Sequence, residues 1–150
     1  MTLTDTAYTV DTDKARLDVA MIHRFLAEES TWALGIPRAL VQRAIDHSLC
    51  FGVYAADGTQ VAFARVVTDT ATYAYLLDVF VCTAHRGQGH STRLMDAVMT
   101  HPDLQGLRRF MLATTTAPGL YARYGFAPPA LPEALMERCV VDPYRTKAAR

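Results

Sequence analysis

Residues 84–92 read Ala-His-Arg-Gly-Gln-Gly-His-Ser-Thr. An apolar run, 75–81, ends just before them, and an amphipathic run starts at Ser91. Gly87 and Gly89 let the backbone turn sharply and come close to a ligand. With a helix starting there, the amides of Gln88, Gly89, His90, Ser91 and Thr92 are its first, unpaired N–H groups, and the helix dipole favours an anion beside them. Arg86 adds a positive charge to the same place. The chemistry this suits is the holding of a pyrophosphate. Spacing excludes two familiar glycine loops. A P-loop needs GxxxxGK[ST], and here there is no Lys and the glycines stand too close. A dinucleotide fingerprint needs GxGxxG, and Thr92 occupies the place of the third Gly. What remains is Arg86-x-x-Gly89-x-Ser91.

Asp78 is the odd residue in the run Tyr-Ala-Tyr-Leu-Leu-Asp-Val-Phe-Val, 73–81. A carboxylate inside a buried strand is costly unless it has a purpose or a partner. Burial disfavours its charged form, which suits a general base acting directly or through a water. The other reading is a structural Asp that accepts backbone N–H bonds from a nearby loop, and both stay open. Cys82 follows the same run without an evident partner base, so it reads as a structural thiol. His23, His47, His85, His90 and His101 show no metal-ligand spacing with Cys or carboxylates, and no metal is expected.

These side chains need elements to carry them. Residues 7–12 read as a short opening strand. In 14–30 the apolar residues Leu17, Ala20, Met21, Phe25 and Leu26 have helical spacing, which Gly35 and Pro37 break. Pro37 then opens a second helix with Leu40, Val41, Ala44 and Ile45 on one stripe. Residues 50–69 form two β-rich runs around Asp57-Gly58, a hairpin signal. The third strand, 71–83, is apolar on both faces and so central. The glycine loop and a helix over about 90–100 follow, ended by His101-Pro102. A strand over 107–116, a short helix over 117–126 and a last strand over 135–141 complete the order. The strand-helix-strand unit in the second half implies a parallel pair. The expected whole is one α/β domain over 1–150.

Composition narrows the function further. The chain has 150 residues, 51% of them hydrophobic, which suits one globular domain with a real core. No apolar run approaches the ~20 residues of a membrane helix, and the acidic start lacks the apolar stretch of a signal peptide. Three well-separated cysteines suggest reduced thiols in a cytoplasmic protein. Net charge is zero, which argues against a nucleic-acid partner. The second half, 76–150, is the more positive one, with 9 basic and 6 acidic side chains. That suits an anionic ligand at the glycine loop.

Two motifs carry a family resemblance. Arg86, Gly89 and Ser91 resemble the acyl-CoA-binding signature (Q/R)-x-x-G-x-(G/A) of the GNAT N-acetyltransferase superfamily, with Ser91 replacing Gly or Ala. Ala117, Leu120, Tyr121, Gly125 and Phe126 match that family's A-x-x-L-Y-x-x-x-G-F helix at every position. The resemblance is close over 76–126. It implies a GNAT fold: a mixed, mostly antiparallel sheet with a central, splayed parallel strand pair, flanked by about four helices. It implies acetyl-CoA as co-substrate and an amine, small-molecule or peptide, as acceptor, with a homodimer admitted and no membrane partner. Arg86, Gly87, Gln88, Gly89, His90, Ser91 and Thr92 would hold the pyrophosphate. The backbone of Val79, Phe80 and Val81 would bond the pantetheine and the thioester oxygen. Thr114 stands where many relatives have an Asn near the pantetheine. Tyr121 matches the tyrosine that protonates the departing thiolate; a phenol with a pKa of about 10 suits a thiol of about 8.5. Tyr124, three residues on, is the second candidate for that acid. By the same resemblance Glu29, Trp32 and Tyr75 would wall the acceptor. Two other functions stay open: a non-catalytic acyl-CoA-binding or regulatory module, and acetylation of a protein or tRNA-bound amine.

Overall fold

The structure, a computed structural model, describes residues 7–144. Its order is β1 (Thr9–Asp11), α1 (Val19–Arg24, extended by a π turn Phe25–Glu29), α2 (Arg38–Asp46), β2 (Leu49–Tyr54), β3 (Gln60–Thr68), β4 (Tyr73–Val81), α3 (His90–Thr100), β5 (Arg109–Leu112) and α4 (Pro118–Ala122). The sheet runs β1-β2-β3-β4-β5 in sequence order. Its first three pairings are antiparallel, and β4 and β5 are parallel. The mixed sheet and its parallel pair follow the sequence reading. Among the described residues that pair stands at one end of the sheet.

Local chemistry explains the boundaries. The Asp18 carboxylate accepts from the Met21 amide and caps α1. The π turn closes with the Ser30 amide on Phe25 O at 2.9 Å. Ser30, buried, also donates its hydroxyl to Leu26 O and accepts from the Ala33 amide, which fixes the exit toward Trp32. Gly58, with φ of 90°, makes the β2–β3 turn.

Helices cover both faces of the sheet. One core cluster gathers Phe51, Val53, Leu76, Leu94, Met95, Val98 and Tyr121 beneath α3 and α4. The other gathers Ile22, Phe25, Val41, Ile45, Phe63 and Phe80 beneath α1 and α2. The β3–β4 register shifts between Phe63 and Arg65, where two residues of β4, Asp78 and Val79, oppose Ala64. This bulge changes the alternation of β4. Ala74 and Leu76 pack on the α3 side; past the bulge, Val79 and Val81 do so, and Phe80 turns to the α1–α2 side.

The expected last strand at 135–141 is not formed. Residues 127–142 are exposed and form no strand, and no strand pairs with the outer edge of β5 among the described residues. A strand segment gains its ladder bonds only from a neighbour. Pro128, Pro129 and Pro132 stiffen the way into this one and remove three amide donors. The strand expected at 107–116 is also shorter, ending at Leu112.

Candidate active site

The glycine loop has the geometry of an anion cradle. Gly87 and Gly89 both take left-handed conformations, with φ of 77° and 81°. No side chain caps α3. The first bond within this helix runs from the Arg93 amide to Gly89 O, so the amides of His90, Ser91 and Thr92 precede it. A Cβ built on Gly87 would meet nothing within 4 Å, so there is open space on that side of the loop. Arg86 is exposed and donates from Nε to Val81 O at 3.2 Å, which bends its guanidinium to the end of β4.

The loop is braced from behind by residues that the sequence reading did not single out. The Tyr8 hydroxyl donates to Gln88 Oε1 at 2.9 Å. Arg93 donates to Gln88 O at 2.6 Å and lies over the Tyr8 ring. The His90 side chain is buried, edge-on to Tyr8, with Nε2 lacking a partner among the described residues. Only the backbone of His90 is therefore presented at the mouth of the loop. Burial, and then the charge of Arg93, hold its imidazole below the usual pKa. Tyr8 and Arg93 carry no motif, and only their contacts identify them.

Strands β4 and β5 part company beside this loop. Their paired residues run from Tyr73–Arg109 to Leu76–Leu112 and stop, while β4 continues to Val81. Val79, Phe80 and Val81 thus lie on a strand whose β5-facing backbone has no ladder partner there. Beyond β5 lies a cleft of about 610 Å³ lined by Leu112, Thr114, Tyr121, Phe126 and Pro129 among others. Tyr121 is buried in the α3-side core, burial pushes its phenol pKa up, and its hydroxyl has no hydrogen-bond partner among the described residues. Tyr124 is engaged elsewhere: its hydroxyl donates to Asp96 Oδ1 at 2.8 Å, and burial and then that bond raise its pKa. Thr114 accepts from the Ala117 amide, so its hydroxyl helps turn the chain into α4.

Asp78 sits in the bulge with φ of 55°, a left-handed conformation rare for a residue with a side chain. Arg65 Nε donates to its Oδ2 at 2.8 Å, and both side chains are largely shielded from solvent. Trp32 Nε1 donates to its Oδ1 at 2.8 Å. Arg65 in turn donates to Ser48 Oγ at 3.0 Å. The loop after α1 is thereby pinned to the bulge, with Trp32 half exposed over it. Arg65 is the lone charge in Val-Ala-Phe-Ala-Arg-Val-Val, the same signal that singles out Asp78, and could have been found by it. Glu29 lies at the end of the π turn, accepting from Thr83 at 3.3 Å. Tyr75 is half-buried on β4, opposite Val67 and Met111. Trp32, Asp78 and Arg65 are brought together; no direct bond joins Glu29 or Tyr75 to them among the described residues. Among the described residues no group of three or more His, Cys, Asp or Glu comes together.

The Acetyltransferase (GNAT) domain family model matches residues 46–128. A protein of Gibberella zeae that carries an acetyltransferase name is 32% identical over 137 residues, taking in 77% of this chain and 76% of the relative. A crystal structure from Xanthomonas campestris pv. campestris, described as an acetyltransferase of the GNAT family, is 64% identical, with a TM-score of 0.89 over 91% of this chain and 96% of that one. A Clostridium acetobutylicum structure solved with acetyl-CoA shares the fold, at 17% identity and a TM-score of 0.61 over 88% of this chain and 94% of that one.

Proposed function

Because the chain belongs to the GNAT acetyltransferase family, we propose that it transfers an acetyl group from acetyl-CoA to a primary amine by direct attack in a ternary complex. The observation that carries this reading is the uncapped start of α3 behind two left-handed glycines, next to the point where β4 and β5 lose their pairing. The residues fit the co-substrate. Arg86 and the amides of 87–92 suit its pyrophosphate. The stretch of β4 from Val79 to Val81, which has no strand partner on the β5 side and where Arg86 takes Val81 O, suits the pantetheine arm as an added strand. The co-substrate supplies an activated thioester; the chain's residues position it and move protons.

In the proposed step the amine nitrogen bonds to the thioester carbonyl carbon, and the carbon–sulfur bond breaks. Tyr121 donates its proton to the departing sulfur, a role supported by its hydroxyl having no hydrogen-bond partner among the described residues. Burial keeps that phenol protonated through the neutral range. Asp78 takes the amine's proton through a water. Each of its oxygens already accepts one bond, and each retains a lone pair for that water. Trp32, Glu29 and Tyr75 would wall the acceptor, a small molecule or a peptide. The free cysteines Cys50, Cys82 and Cys139 suit a cytoplasmic setting.

An amine panel with labelled acetyl-CoA tests the reading. Tyr121→Phe is expected to lower kcat about 10²-fold and to leave the KM for acetyl-CoA nearly unchanged. Acetyl-CoA binding without turnover of any amine would replace the proposal with a non-catalytic binding module.

A further inference from the structure

We propose that the acceptor is a small molecule with an amine at one end, an apolar body and an anionic group about 10 Å from the amine. It would lie along β4 with its anion at Arg109, an assignment that rests on the acetyl-transfer reading above. Alternation along the strands defines the surface it would occupy. Val66, Ala74, Leu76, Phe110 and Leu112 pack in the cluster beneath α3 and α4, so Val67, Tyr73, Tyr75, Leu77 and Met111 face the other way. Helices α1 and α2 cover that side only in part. Their cluster reaches the sheet at Cys50, Phe63 and Phe80 and includes none of those five. Val67 and Tyr73 are 45% and 37% exposed. Val67, Tyr75 and Met111 stand in register across β3, β4 and β5, and the Tyr73 hydroxyl donates to Met111 Sδ at 3.1 Å. Together they make an apolar floor three strands wide that lies outside both cores.

The floor has two chemically different ends. At one, Asp78 accepts from Trp32 and Arg65 and keeps a lone pair on each oxygen for the amine or its water. Half-exposed Trp32 adds a ring face that suits an ammonium group. At the other end Tyr73 stands in register with Arg109, and a cavity of about 320 Å³ is lined by Tyr73, Arg108 and Arg109. Neither arginine has an ion-pair partner among the described residues. Asp69, in the turn before β4, is taken up by the amides of Ala71, Thr72 and Tyr73 and by the Thr72 hydroxyl. The guanidinium forks therefore suit an incoming carboxylate or phosphate. From Leu77 back to Tyr73 the strand covers about 13 Å, and the length of an arginine side chain shortens the span it must bridge. A ligand with a second cation would meet two arginines, and a short amine would leave the floor uncovered, so charge and length select together.

Trp32, the lone tryptophan, reports binding at the amine end. Its fluorescence in the CoA-saturated full chain is titrated with ω-aminooctanoate and with octylamine. The acid is expected to bind at least about tenfold more tightly, by a margin that shrinks as salt is added. In Arg109→Gln the ratio of the two affinities should fall to near one. In Arg109→Glu the matched diamine should replace the acid as the tighter ligand, an inversion that a merely structural role would not produce. Val67→Glu, on the exposed floor, should weaken the acid about tenfold without reversing the preference. The matched phosphonate, titrated in parallel, tells a phosphate end from a carboxylate end. Equal affinities for acid and amine overturn the proposal, as does a ratio that Arg109→Glu leaves unchanged. Transfer of labelled acetyl to the same compounds separates the two readings. Selective binding of the acid without its acetylation would count against acetyl transfer, whereas acetylation of both compounds at equal kcat/KM would count against recognition of the anion alone.

Discussion

Arg65 Nε and Asp78 Oδ2 stand 2.8 Å apart across the β3–β4 register shift, and their ion pair joins the two strands where the ladder is broken. The bulge turns Asp78 into the left-handed region and toward the α1–α2 side, where Trp32 takes the other oxygen. One irregularity in a sheet thereby fixes a loop from a different layer.

Arg65→Met should destabilise the fold by about 3–5 kcal/mol, because it leaves a shielded carboxylate without its counter-charge. Urea denaturation measures this. A loss under about 1 kcal/mol would show that water screens the pair as it does on a surface.

Asp78→Gly and Asp78→Asn separate the backbone from the carboxylate. Both residues accept a left-handed φ, so the bulge should keep its backbone; each also leaves Arg65 without its counter-charge, so kcat is compared under conditions where the variant is folded and binds acetyl-CoA. As a general base, Asp78 predicts a kcat loss of about 10²-fold in both. If Asp78→Asn keeps kcat within about threefold of the wild type, the side chain only positions Trp32. Trp32, the lone tryptophan, gives the independent readout: its fluorescence should shift in Asp78→Gly, which removes its acceptor.

His90 predicts a pH dependence of stability. Its folded pKa lies below the unfolded value of about 6.5, so the unfolded chain binds the extra proton first. Its contribution is therefore present above about pH 6.5 and is lost as pH falls through the folded value. Tm measured against pH should show that slope in the wild type, and His90→Gln should flatten it. An unchanged slope would assign the acid sensitivity to other groups.

Much of the fold was legible because its signals are local. Asp57-Gly58 marked the hairpin, His101-Pro102 the end of α3, and Gly87 with Gly89 the turn into it. The segment 135–141 reads equally well as a strand, yet strand structure depends on a partner that its own residues do not supply. The candidate site was legible where its geometry rests on backbone conformation, as in the left-handed glycines of the loop. It was less so where its geometry rests on side chains distant in sequence. Asp78 stood out as a charge in an apolar run, but that it meets Arg65 and Trp32 depends on a bulge, and the bulge shows only as a change of facing between Leu76 and Val79. Tyr8 carried no signal because its partner lies 80 positions away.

That Tyr8–Gln88 bond has a bearing on how the protein matures. It ties the segment before β1 to the loop before α3, and it exists only where the strands between bring the two together. The braced form of the glycine loop is consequently a property of the folded chain alone. Acetyl-CoA, on the proposed reading, would recognise only finished molecules and so act as a chemical chaperone, drawing the folding equilibrium toward the native state in proportion to the logarithm of its concentration.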